Sequence, residues 1–85
     1  MGLLNYVSQT KQDVSVNFAE MDAGTVVVFV NQVSGKPIAS PAFAVDGKGA
    51  IDIPIAPDLP TGQYYLLARN ANKYVAQTVM FYIQN

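Results

Sequence analysis

Turn signals recur along this chain about every dozen residues, and the segments between them alternate in polarity or run apolar. Ser34-Gly35-Lys36-Pro37 is followed by Asp46-Gly47-Lys48-Gly49, then by Asp58-Leu59-Pro60-Thr61-Gly62. That spacing is the pattern of a small antiparallel β-sandwich. It constrains the fold and leaves the task open.

The segments between the signals read as strands. Asp13 to Glu20 alternates, with Val14, Val16 and Phe18 on one face and Ser15 and Asn17 on the other, as a half-buried strand does. Asp22-Ala23-Gly24 reads as a turn. Thr25 to Val33 carries Val26, Val27, Val28, Phe29 and Val30 in succession; β-branched crowding disfavours helix, and an apolar run on both faces marks a central strand. Ile38 to Val45 is weaker, held to an edge or bulge at Pro41. Asp46-Gly47-Lys48-Gly49 reads as a tight hairpin turn. Ile51, Ile53 and Ile55 alternate with Asp52, Pro54 and Ala56 as an edge strand. After a loop over 57–62, Gln63 to Asn70 is a second two-sided strand, 70–73 turns, and Tyr74 to Gln84 closes the chain. Residues 1–12 read as an N-terminal arm or edge strand and 13–85 as one β-sandwich domain, about seven strands in all.

Composition narrows the function classes. The 85 residues include no cysteine and no histidine, which together supply most zinc and copper sites. Only 13% of residues are charged and the net charge is −1, against roughly 25% charged in a typical soluble domain. No basic face is available for nucleic acid. So little charge solvates the surface poorly, which points to part of it being covered by another protein. No apolar run reaches the roughly 18 residues of a membrane span. The N-terminal stretch is too short and too polar for a signal peptide. Localisation stays open: a cytoplasmic product, a virion component, or a domain of an extracellular or cell-surface protein.

Gly35-Lys36-Pro37-Ile38, Asp46-Gly47-Lys48-Gly49, Ile51-x-Ile53 and Leu59-Pro60-x-Gly62-x-Tyr64-x-Leu66 resemble the repeat units of bacterial surface proteins. The run is similar to collagen-adhesin B-type and carboxypeptidase-regulatory-like domains over roughly residues 25–70, with a looser likeness to type IX secretion sorting domains. The resemblance implies an all-β fold, an antiparallel Ig-like β-sandwich of about seven strands, and a scaffold or adhesive role. Many such domains carry an internal isopeptide bond between a lysine and an acid-assisted partner. Val30, Asn31, Ala68 and Arg69 stand in those strands here, so that bond is not expected.

Catalytic chemistry finds little support. The acids Asp13, Glu20, Asp22, Asp46, Asp52 and Asp58 fall mostly in turns or at strand ends, where aspartate stabilises the backbone locally. Asp46 to Asp52 has Lys48 and Ala50 where a calcium loop needs oxygen ligands. Ser8, Ser15, Ser34 and Ser40 have no histidine to act as base. The expectation is no enzyme, no metal and no cofactor. Tyr64, two residues after Gly62, matches a tyrosine corner, its hydroxyl bonded to a nearby loop backbone.

The two-sided strands carry the functional expectation. If 25–33, 63–70 and 74–84 share a sheet, Val26, Val28, Val30, Tyr64, Leu66, Val79, Phe81 and Ile83 face inward. Val27, Phe29, Tyr65, Leu67, Met80 and Tyr82 then form an apolar outer face, and such faces mark interaction surfaces. Leu3, Leu4 and Tyr6 offer a second contact, unless the N-terminal segment folds back over that face. The expected function is a structural module acting through protein–protein association, as a homo-oligomer, a small assembly or virion decoration subunit, or a surface-protein scaffold. The alternative is a carbohydrate-binding module using Tyr65, Arg69, Asn70, Asn72, Tyr74 and Gln77, with a glycan as partner.

Overall fold

Two of the turn signals do not reverse the chain. In the computed structural model, which describes residues 2–33, 35 and 37–85 and only the backbone of 37–41, strands run straight through both. The described residues form six strands: β1 (Leu3–Gln9), β2 (Asp13–Asn31), β3 (Pro37–Pro54), β4 (Gly62–Asn70), β5 (Lys73–Gln77) and β6 (Phe81–Ile83). All belong to one antiparallel sheet. β2 joins the two segments expected at 13–20 and 25–33, and β3 joins those at 38–45 and 51–55.

The reason lies in the register. Met21 pairs with Gly47, and Thr25 with Val45. The signals at 22–24 and 46–49 therefore sit opposite each other in one ladder and bend both strands together. Glu20 (φ 60°), Gly24 (φ 91°) and Gly47 (φ 68°) supply the left-handed backbone of the corner. Between Phe18 and Thr25, β2 takes seven steps where β3 takes four, from Gly49 to Val45. The surplus is absorbed as bulges, which raise local twist and bend. The expected tight turn at 46–49 is thus a corner.

Beyond the corner, β2 changes neighbours. Its first half lies between β1 and β3, and its second between β3 and β4, which carries β5 and β6 on its far side. The sheet curls into an open half-barrel, with β1 returning against β5. Buried Gly2 fits this seam because a Cβ there would meet Met21 Sδ at 2.5 Å and Val75 Cγ1 at 3.0 Å. A closed two-sheet Ig-like sandwich of seven strands is not what forms. The turn at 34–37 falls partly outside the described residues, since Ser34 and Lys36 do.

The core fills the concave side. Leu4, Val14 and Val16 come from one arm, and Val27, Phe29, Tyr64, Leu66, Phe81 and Ile83 from the other. Phe29 meets Tyr64 and Phe81 edge-on at 6.2 and 6.5 Å, and Tyr6 stacks on Phe81 at 5.1 Å. The expected last strand, 74–84, breaks in two. Between Thr78 and Phe81 one extra residue enters, and the Thr78 side chain mends the ladder there. Its Oγ1 accepts the Leu66 N–H at 3.0 Å, and its own N–H donates to the Leu66 carbonyl at 3.0 Å. Tyr64 is fully buried and its hydroxyl donates to the Pro60 carbonyl, the corner geometry expected of it.

Candidate functional site

Directly opposed residues in an antiparallel ladder share a face. Val27 faces Ala68, Phe29 faces Leu66, and Val28 and Val30 face Leu67 and Tyr65. The inward set on β4 is Tyr64, Leu66 and Ala68, all fully buried. Val27 and Phe29 therefore belong to the core and Val28 and Val30 to the convex face, the reverse of the expected phase. An all-apolar run carries no alternation from which to read that phase; only the partner strand fixes it.

The other expected interface residues divide. Tyr65 and Leu67 lie half-buried on the convex face. Tyr82, opposite Gln63, and Met80 are 51% and 53% exposed. Leu3 is exposed on β1, whereas Leu4 is in the core and Tyr6, half-buried, spends its hydroxyl on Gln9 Oε1 at 3.0 Å. β1 does not fold over the convex face; it pairs with β2 and sends Leu4 and Tyr6 inward. Val79, expected inside, is 70% exposed, because the extra residue after Thr78 shifts the alternation. The absence of strict alternation across Thr78-Val79-Met80 was the available signal. Val33, at the end of the described β2 turn, and Val7, at the β1 bulge, are also exposed.

The expected glycan contacts are partly brought together. Arg69 lies opposite Tyr74 and Leu67 opposite Gln77, so these share the convex face with Tyr65. Tyr74 is 62% exposed. Of the nine aromatic residues, Tyr74 and Tyr82 are the exposed ones; the others are buried or half-buried. Asn70 is committed elsewhere: its Nδ2 donates to the Ala23 carbonyl at 3.1 Å and to Thr25 Oγ1 at 3.2 Å, tying the β4–β5 turn to the corner. Asn72 is exposed at that turn with φ 64°. A shallow concavity beside it is lined by Glu20, Asp22, Asn70, Lys73 and Tyr74.

The polar pairs elsewhere stabilise turns and strands. Ser15 Oγ donates to Asp52 Oδ1 at 2.6 Å across β2 and β3. Thr10 and Asp13 bond each other in the β1–β2 turn. Ser34 and the Ser40 side chain lie outside the described residues. Among the described residues no group of three or more His, Cys, Asp or Glu could hold a metal, and no helix is long and apolar enough to cross a membrane.

Comparison with family models, with curated proteins and with solved structures finds no match to this chain. The chain is a small all-β domain with a curled antiparallel sheet, and the likeness to adhesin repeats gains no support from any relative.

Proposed function

We propose that this domain is a non-enzymatic association module, holding another protein subunit against the convex face of the arm built from β4, β5 and β6. One observation carries the reading: Val79 and Met80, between β5 and β6, and Tyr82 on β6, opposite Gln63, stand exposed, while Tyr65 and Leu67 on β4 are half-buried. With 13% charged residues, little repulsion keeps such a strip free of partners. The partner is a protein surface of matching apolar chemistry. A small decoration subunit of a particle or a scaffold domain of a surface protein both fit. The adhesin-like sequence run supports scaffolding over catalysis.

The test is light-scattering mass across a hundredfold concentration range, for wild type and a Met80→Lys, Tyr82→Lys variant. Weaker association, with the β-sheet circular dichroism intact, is the expected result. Association of equal strength in both overturns the reading. A second reading, glycan binding, draws on exposed Tyr74 beside Asp22 and Lys73 in the shallow concavity. It predicts saccharide-dependent tyrosine fluorescence that Tyr74→Ala abolishes.

A further inference from the structure

β3 runs 18 residues and, among the described residues, pairs with β2 alone. Its other edge is unpaired. Which backbone groups point there follows from two hydrogen bonds. Ile55 N–H donates to the Gln12 carbonyl, one step beyond the Asp13–Pro54 pair. Hydrogen-bonded and non-bonded pairs alternate along an antiparallel ladder, so Ile53, Ile51 and Gly49 also turn their N–H and C=O toward β2. In the other arm Gln32 N–H donates to the Gln63 carbonyl. Thus Val30, Val28 and Val26 bond to β4, and Phe29, Val27 and Thr25 bond toward β3. The last two are met there by Phe43 and Val45. The same parity holds on both sides of the corner. The free edge presents the N–H and C=O of Ala44, Asp46, Lys48, Ala50 and Asp52, and all five residues are exposed.

This edge is self-complementary about Gly47. An antiparallel copy of β3 centred there sets Asp46 opposite Lys48 of the second copy, and Lys48 opposite its Asp46. Ala44 then meets Ala50, so the edge-facing residues from Ala44 to Ala50 meet one another, and Asp52 falls opposite the start of the β3 bulge. On the concave side Phe43 meets Ile51, both only half-buried in the single chain. Gly47 meets itself, and the space where its Cβ would stand is open. Centred on Val45, the ladder loses both Asp46–Lys48 pairs, and the registers displaced the other way, or onto a charged residue, fail outright. Centred on Asp46 or Lys48, the ladder sets like charge against like; centred on Gly49, it sets Asp46 against Asp52. Centred on Ala50, it brings in Pro54, which has no N–H to give. The two-fold axis of this pairing stands perpendicular to the sheet, so both copies bend toward the same side and their corners coincide.

We propose that the domain dimerises by β-strand addition, β3 against β3, with Asp46 and Lys48 fixing the register. This surface is separate from the convex apolar face, and the proposal does not depend on that face being an interface.

The experiment is sedimentation equilibrium with native mass spectrometry on the whole chain. Wild type should rise from 9.2 kDa to twice that mass with concentration. Asp46→Lys and Lys48→Asp each set like charges opposite each other at two symmetric positions, and each should weaken the dimer about ten- to a hundredfold. Mixed in equal amounts, the two variants should pair with each other at near wild-type strength, because every opposed pair is again of opposite charge. Ala50→Pro removes an edge N–H and leaves the bonds to β2 in place; it should abolish the dimer with circular dichroism and melting unchanged. A wild type monomeric to about 1 mM, or charge variants that fail to pair when mixed, overturns the proposal. A dimer that survives Ala50→Pro but not Met80→Lys, Tyr82→Lys overturns it too, while sustaining the convex-face reading.

Discussion

On the concave face Val27, Phe29, Tyr64 and Leu66 interlock with side chains from the opposite arm of the curl. On the convex face Val28 and Val30, one step along the same strand, are 0% and 1% exposed, outside the core cluster that the two arms share. Their neighbours are Leu67 and Tyr65 on β4 and the irregular stretch of β3. There Ile38 to Phe43 takes five steps while Phe29 to Val27 takes two. A wide bulge in β3 thus lies alongside Val28. The concave side is buried by the two arms closing on one cluster, and Val28 and Val30 are buried outside it. Equal burial therefore need not mean equal packing, because the cost of removing a side chain depends on how well its surroundings can collapse.

Adjacent valines test that difference with identical chemistry. Val27→Ala should destabilise the domain by about 2–3 kcal/mol, the transfer term for two carbons plus a cavity that two packed arms cannot close. Val28→Ala should cost about 1–2 kcal/mol, since a bulged neighbouring strand can settle into the gap. Urea melts of both variants measure the gap between them. Equal losses would mean that the convex side is packed as a second core. In a domain whose whole stability is of the order of 5–15 kcal/mol, either loss is visible.

Thr78 sharpens the contrast from the concave side. Its hydroxyl replaces a missing ladder acceptor for the Leu66 N–H where β5 gives way to β6. Thr78→Val keeps the shape and leaves that buried N–H without its acceptor. A loss of about 1–2 kcal/mol is expected, with faster amide exchange at Leu66. An unchanged exchange rate would show that the ladder closes there without the side chain.

Much of the all-β class was readable because period-two alternation at Val14, Val16 and Phe18 and at Ile51 and Ile53 reports a half-buried strand directly. The Tyr64 corner was readable because Gly62-x-Tyr64 is a local signature. The long-range pairing was not. Asp22-Ala23-Gly24 and Asp46-Gly47-Lys48-Gly49 each carry good turn chemistry, and nothing local says that they are register partners. Two facing turn signals make a corner, so the half-barrel replaced the sandwich. The interface candidates inherited the ambiguity of the valine run: Val27 and Phe29 moved inside once β4 set the phase, while Met80 and Tyr82 stayed outside. Edge complementarity about Gly47 was present in the sequence, but it acquires meaning only when β3 is seen to be continuous and unpaired on one side.

The smallest effect comes from a second adjacent pair. Tyr64 and Tyr65 differ by one step and point to opposite faces. The Tyr64 hydroxyl is buried and bonded to the Pro60 carbonyl, beside a loop that Asn85 also ties down through the Ala56 and Leu59 carbonyls. Tyr64→Phe leaves that carbonyl short of a donor and should cost about 0.5–1.5 kcal/mol. Tyr65 is half-buried on the convex face, so water reaches part of it, and Tyr65→Phe should stay within about 0.5 kcal/mol of wild type. Thermal melts of the two variants decide the matter. A larger loss at Tyr65 would place a structural hydrogen bond on the face assigned to association, and would make part of the convex surface a piece of the fold.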